Sequence, residues 1–318
     1  LIIYIYINIE KYINFMKKEK FFLKNISFQL SFIMISFVLL SEIFIRKIVS
    51  PNNPVYQNSL IYRRKNSNNA IFGDSSTMQG IYFLDNFKNF SGGKDNYQVI
   101  EKKIINYFDD SKKKNGNIII HLAMNGFAPY RDRNLKVDEL TLYFSKQKKL
   151  NLLIGYKYYQ RRIFEYLLAI KRNKFKLNLE SNFIFHSDGS ATVDELYEND
   201  KLKINKNKFS YYYPKENFIN DKNYKSLIRT INYLNKKQIK ICFITTPWHE
   251  DFRQKQIEIS EFKEVRLFYK QFAKNKNIPY YDFLEYPMPT KYFADGVHLN
   301  TEGAKIFTPM VKQACGLI

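Results

Sequence analysis

The strongest pattern along the chain is an uncharged run, NISFQLSFIMISFVLLS, over residues 25–41. Wound as a helix, it carries apolar side chains all round rather than along one stripe, which excludes an amphipathic core helix. It covers about 25 Å at ~1.5 Å per residue, and Ile43, Phe44 and Ile45, beyond the single Glu42, complete a membrane span. Downstream the pattern changes to short apolar runs alternating with helical spacings. Residues 69–72, 87–90, 117–124, 239–246 and 278–284 read as strands, and 98–108, 224–237 and 257–274 as helices. Strands alternating with helices predict an α/β domain, a parallel sheet with helices on both faces. More than a hundred residues separate the third and fourth strands, far beyond the needs of a crossover. This insertion, at about 127–222, is rich in helix formers and aromatics over 136–175 and irregular over 180–222. It predicts a cap or subdomain beside the carboxyl edge of the sheet. The chain thus divides into 1–24, an anchor at 25–45, a linker at 46–68 carrying Pro51 and Pro54, and a folded body at 69–318.

Charge orients the anchor. Lys17, Lys18, Lys20 and Lys24 precede it, which predicts a cytoplasmic N-terminus and an extracytoplasmic body, although Arg46 and Lys47 weaken the asymmetry. No small-x-small cleavage site comes after the apolar run, so a retained single-pass anchor is expected rather than a cleaved signal peptide. Residues 1–15, LIIYIYINIEKYINF, differ in character from the lysine-rich segment after them, and Met16 opens MKKEKFFLKN. Met16 therefore reads as the true start; a short interfacial helix is the alternative. The formal charge of +21 comes from lysines scattered along the chain, beside abundant Asn, Ile, Tyr and Phe, as an AT-rich genome imposes. No RRM, zinc-finger or basic-helix pattern accompanies them, so nucleic acid is not an expected partner. Cys242 lies in an apolar run and reads as a core residue, and with Cys315 it makes neither a disulfide framework nor a CxxC metal pair.

Two segments carry chemistry. In IFGDSST, residues 71–77, a strand runs through Gly73 into a helix start and leaves a hydroxyl at the strand's carboxyl end, where open α/β sheets place their sites. The helix N-terminus supplies amides for a developing oxyanion. A plain βα turn with Asp74 or Ser75 as N-cap is the bland alternative. Near the C-terminus, FADGVHLNTEG at 293–303 offers His298 as a base and Asp295, three residues earlier, as the carboxylate that orients it. Asn300 or Thr301 is placed to cap a final helix.

A GDS near the start of the body and a DGVHLN near its end together resemble the SGNH/GDSL hydrolase family, in its membrane-anchored bacterial envelope form. The resemblance reaches both ends of residues 69–310. It implies a three-layer flavodoxin-like parallel sheet, with Ser75 as nucleophile and His298 and Asp295 completing a triad. It also implies two oxyanion-hole blocks. Gly92 or Gly93, in NFSGGKD, stands where the family's glycine donates its backbone N–H, with Gly92 preferred. Asn125, ending IIIHLAMN, stands where the family's asparagine donates its side-chain amide. Here the family's Gly-x-Asn-Asp is altered, with Ala123 and Gly126 in place of the glycine and the aspartate. A strand-end Asn beside Gly126 is also an ordinary turn.

The remaining candidates are weaker. Ser76 is the rival nucleophile. Trp248 and His249, after the fourth strand, are candidate substrate-binding residues; packing and loop roles are their alternatives. His121 reads as a core residue, and His186, in the insertion, is uninformative. No P-loop, dinucleotide fingerprint or HExxH is present, and the implied chemistry needs no metal or cofactor. The expected activity is ester hydrolysis or O-acyl, chiefly acetyl, transfer on envelope polysaccharide, in an envelope polysaccharide pathway. A non-catalytic glycan-binding protein on the same fold and a membrane-surface lipid esterase are the rivals.

Overall fold

The protein is described by a computed structural model covering residues 26–44, 67–93, 95–109, 116–132, 184–197, 213–257 and 259–316. The segment at 1–24, nearly all of the linker and most of the insertion lie outside the described residues.

Helix α1 (Ile26–Phe44) has 19 residues with a mean hydropathy of 1.9, long and apolar enough to cross a membrane. Phe28, Phe32, Ile33 and Phe37 are among its exposed side chains.

The body begins with β1 (Asn69–Phe72), α2 (Ser75–Gly80), β2 (Phe87–Asn89), α3 (Tyr97–Asp109) and β3 (Asn117–His121). A short helix α4 (Pro129–Asp132) and a hairpin, β4 (Ile184–Phe185) with β5 (Ala191–Thr192), come next. Then come α5 (Lys222–Lys236), β6 (Lys240–Thr245), α6 (Glu250–Ile257), α7 (Ser260–Asn275), β7 (Tyr280–Asp282) and α8 (Thr301–Ala314). The main sheet has the order β2-β1-β3-β6-β7, with every pairing parallel. This is the doubly wound order whose switch point lies between β1 and β3, and ligands bind outside the carboxyl ends there.

These runs are strands because of where their side chains go. Alternate residues of a strand face opposite sides of the sheet. Ile118 and Ile120 of β3 join a core with Phe72, Phe243, Ile104 and Ile231, while Ile119 joins another with Ile71, Ile244, Phe307 and Val311. Both faces are buried, so the strands are continuously apolar rather than alternating. Helices α3, α5 and α7 cover the first face and α8 the second, giving three layers.

Three features differ from the sequence reading. The helical spacing over 257–274 starts only at Ser260 in the structure, as α7, because Ile259 is extended (φ −73°, ψ 125°), and a separate helix that the sequence reading lacks, α6, precedes it. The third strand ends at His121, not at residue 124, because the backbone turns there to bond Gly126 N–H to the Ala123 carbonyl at 2.8 Å. And Cys242 is not a plain core residue: it is disulfide-bonded to Cys315, with a Cα–Cα distance of 5.8 Å. The pair is 73 residues apart in sequence. They meet only because α8 starts at the carboxyl edge of the sheet and runs back across its second face to β6. The hairpin is held on the β2 edge, where Asn89 N–H donates to the Asp188 carbonyl at 2.8 Å and Phe83 N–H to its carboxylate at 3.1 Å.

Candidate active site

Three segments converge at the carboxyl edge: the turn after β1, the turn after β3, and the loop before α8. In the first, Gly73 allows the chain to pass close to β3. A Cβ there would lie 2.4 Å from Thr77 Oγ1 and 2.7 Å from His121 Cβ. Asp74 is extended and caps α2, its carboxylate accepting from Ser76 N–H at 3.0 Å. The capping duty thus falls to Asp74, and Ser75 takes the first helical position, where backbone N–H groups have no partner within the helix. Ser75 is half-buried, whereas Ser76 is buried.

The loop before α8 is shaped by one carboxylate. Asp295 Oδ1 accepts from Val297 N–H at 2.8 Å and from His298 N–H at 2.9 Å, and Oδ2 accepts from His298 Nδ1 at 2.7 Å. Asn300 then caps α8 by accepting from Gly303 N–H at 3.0 Å. His298 Nε2 lies 2.8 Å from Ser75 Oγ. A carboxylate only accepts, so the ring proton sits on Nδ1, and Nε2 presents its lone pair to the Ser75 hydroxyl. Ser75, His298 and Asp295 therefore form one continuous line, across 223 residues between the serine and the histidine. Burial pushes the Asp295 carboxyl upward, but the His298 imidazole and the two loop amides outweigh it and hold the group below its ordinary range. The carboxylate remains 54% exposed, so solvent screens part of that pull.

Beneath the serine lies a second, buried network. Asp74 accepts from Arg131 Nη2 at 2.5 Å and from His121 Nδ1 at 3.1 Å. His121 Nε2 lies 3.3 Å from Thr246 Oγ1. Burial alone would raise the Asp74 carboxyl, but the Arg131 guanidinium and the His121 ring more than offset it and hold Asp74 far below the usual carboxylate range. Arg131 is 3% exposed, and its Nη2 also donates to Asn125 Oδ1 at 2.7 Å. A guanidinium only donates, so it must face the amide oxygen of Asn125, and the Asn125 NH₂ points elsewhere. The turn carrying Asn125 is supported from below by Tyr269, whose hydroxyl donates to the Ala123 carbonyl at 2.8 Å and lies 2.7 Å from the Tyr97 hydroxyl.

Of the other candidates, Gly92 lies in the turn after β2, but its N–H donates to the Gly73 carbonyl at 3.2 Å, continuing the β1–β2 pairing. Contact with an oxyanion would require it to exchange that partner. A Cβ at Gly92 would lie 2.9 Å from Asp95 Oδ2 and 3.1 Å from Lys103 Nζ, so the turn is packed tightly. A Cβ on Gly93 would meet open space. Trp248 is 8% exposed and packs edge-on against Phe252 and Phe262. His249 lies under the His298 loop: its N–H donates to the Gly296 carbonyl at 3.1 Å, its Nε2 meets Thr290 Oγ1 at 3.0 Å, and its ring stacks on Tyr197 at 4.1 Å. Burial lowers the His249 pKa and favours the neutral ring, although Asp251 and Glu250 pull the other way. His186 Nε2 lies 2.8 Å from Thr192 Oγ1 in the hairpin. Arg131, His121 and Thr246 were not singled out as site residues by the sequence. No spacing marks them, because they meet only across three different turns. Among the described residues, no group of three His, Cys, Asp or Glu side chains could hold a metal ion.

No protein-family profile matches the chain, and no curated protein matches it. Among solved structures, it is similar to a lipase/acylhydrolase from Enterococcus faecalis, at 13% identity over 78% of this chain and 96% of that one, with a TM-score of 0.37. It is also similar to a member of the lipolytic protein G-D-S-L family from Veillonella parvula, at 13% identity over 77% of this chain and 96% of that one, with a TM-score of 0.35. At that overlap, the chemistry of this chain must be read from its own side chains.

Proposed function

We propose that this chain is a serine ester hydrolase or O-acyltransferase of the SGNH/GDSL type. The observation that carries the reading is the unbroken Ser75–His298–Asp295 line. Ser75 attacks an ester carbonyl while His298 Nε2 takes the hydroxyl proton, and Asp295 stabilises the imidazolium and holds its tautomer. The oxyanion lies against the Ser75 N–H at the start of α2 and the Asn125 side-chain NH₂. His298 returns its proton to the departing alcohol. Water then resolves the acyl-enzyme in an esterase, or a sugar hydroxyl does so in a transferase.

The apolar α1 supports attachment to a membrane, with the N-terminus cytoplasmic and the body outside. The Cys242–Cys315 disulfide supports an oxidising compartment for that body. The net charge of +21 beside the apolar span fits an anionic envelope glycan at the membrane face, and acetyl esters on it are the substrate in this reading. In this reading Trp248 serves packing, and His249 supports the His298 loop rather than touching substrate.

The test is p-nitrophenyl acetate hydrolysis by the full-length chain in detergent, with fluorophosphonate labelling beside it. Wild type is expected to turn over the ester and to label at Ser75, and Ser75→Ala to lose both. A folded wild type that neither hydrolyses nor labels refutes the reading and favours a glycan-binding protein on this fold.

A further inference from the structure

We propose that Arg131 is the positioning residue of the oxyanion site, one guanidinium that fixes the Asn125 amide and ties it to the serine turn. The inference rests on the reading of Ser75 as nucleophile. Its basis is the placement of three bonds on two nitrogens. Nη2 donates to Asp74 Oδ2 and to Asn125 Oδ1, and Nη1 donates to the Asp95 carbonyl at 2.9 Å. Asp74 directly precedes Ser75. Asn125 carries the candidate amide donor. Asp95 closes the turn that holds Gly92, where Asp95 N–H donates to the Gly92 carbonyl at 3.0 Å. The turns after β1, β2 and β3 therefore meet on one planar group.

The physical consequence concerns Asn125 first. A side-chain amide can rotate by half a turn and exchange its oxygen for its nitrogen. An oxygen aimed at a developing oxyanion repels it, whereas the NH₂ stabilises it. Arg131 removes the ambiguity, since only the oxygen can face a guanidinium. The sequence is consistent with such a need: Gly126 comes next after Asn125 and offers no neighbouring side chain to hold the amide. The guanidinium is held in turn. It is buried, its charge is balanced by Asp74, and the backbone carbonyl of Arg131 accepts from Asn96 Nδ2 at 2.7 Å. Preorganised donors of this kind stabilise a transition state without reorganising during the reaction.

Arg131 thus acts through Asn125 and does not touch the substrate. The test is a double-mutant cycle on ester hydrolysis, read as kcat and KM separately. Asn125→Ala is expected to lower kcat by about 10²–10³, as for loss of one oxyanion donor. Arg131→Lys keeps a cation for Asp74 but cannot span all three acceptors. It should remain folded by circular dichroism, with kcat lowered by ~10-fold or more and KM changed by less than about threefold. In the Asn125→Ala background, Arg131→Lys should cost little more, since the group it positions is gone. Asn125→Asp keeps a partner for Arg131 but has no N–H, and should fold yet match Asn125→Ala in kcat. Fluorophosphonate labelling of wild type separates the two levels of failure. If wild type labels and turns over while a folded Arg131→Lys keeps full kcat, or if the two losses simply multiply, the positioning role is overturned and the nucleophile stands. If Arg131→Lys does not fold, a fully active Asn125→Asp overturns the proposal. If wild type neither labels nor hydrolyses, the nucleophile reading fails and takes this inference with it.

Discussion

The Cys242–Cys315 disulfide allows a stability prediction worked from the chain itself. It closes a loop with a sequence separation of 73 residues, from the middle of β6 to the end of α8. In the chain-entropy account, a loop of that size restricts the unfolded ensemble by about 4 kcal/mol at 25 °C. For a domain of this size the loss corresponds to a fall in melting temperature of about 10 °C. The perturbation is Cys315→Ser, at the partly exposed partner. The assay is guanidinium denaturation of the full-length chain in detergent, tracked through the fluorescence of the single, buried Trp248. The midpoint should fall markedly, and reducing agent should lower the wild-type midpoint by a similar amount while leaving the variant unchanged. Ester hydrolysis at 25 °C should stay within about twofold, because the disulfide lies at the edge of the sheet opposite Ser75 and acts mainly on the unfolded state. Equal midpoints for wild type and variant, or two freely reactive thiols in the untreated protein, would refute the reasoning.

Three residues of the site give further expected outcomes. Asp295→Asn should lower kcat by about 10³–10⁴ with the fold intact, because the His298 ring loses the partner that fixes its tautomer; activity within tenfold of wild type would exclude the orienting role. Asp74→Asn should destabilise the fold by about 3–5 kcal/mol, since Arg131 is left buried without its counter-charge, measured by the same denaturation. The pH dependence has a definite sign. The folded-state Asp74 pKa lies below its ordinary 3.8, so its contribution is fully present above about pH 4 and is lost as pH falls below that. Asp74→Asn should therefore flatten the acid limb of the stability profile, and an unchanged limb would count against it. Gly296→Ala should lower kcat by displacing the His298 loop, since a Cβ there would lie 2.7 Å from the Phe252 ring. Phe252→Ala in the same chain should restore part of the loss if crowding is the cause.

Much of the framework was legible because it is local. The period of apolar residues placed β1 to the residue, and α3, α5, β6 and β7 within one or two, since each buries a pattern that its own few residues carry. Helix α6 was not legible, since Phe252 and Ile257 are its only apolar residues and mark no helical stripe. For the candidate site, the GDS and DGVHLN segments drew attention to Ser75, Asp295 and His298, and the structure brings these three together. Asn125 was legible as a turn residue after a strand. The group that orients it was not, because Arg131 reads as one more cation at the start of the insertion. His121 was read as a core residue. It is buried as expected, but at the very end of its strand, where it meets Asp74 and Thr246.

By itself, the sequence determined the apolar span, the alternation of strands and helices, and the residue types able to make a nucleophile, a base and its orienting carboxylate. Those properties depend on near neighbours, whose spacing along the chain is their spacing in space. Only the tertiary structure decided which of these residues meet. It set Ser75 against His298, Arg131 against Asp74 and Asp95, and Cys242 against Cys315. The parallel sheet order and the antiparallel run of α8 create these contacts, and no local pattern encodes a distance between turns that lie dozens to hundreds of residues apart.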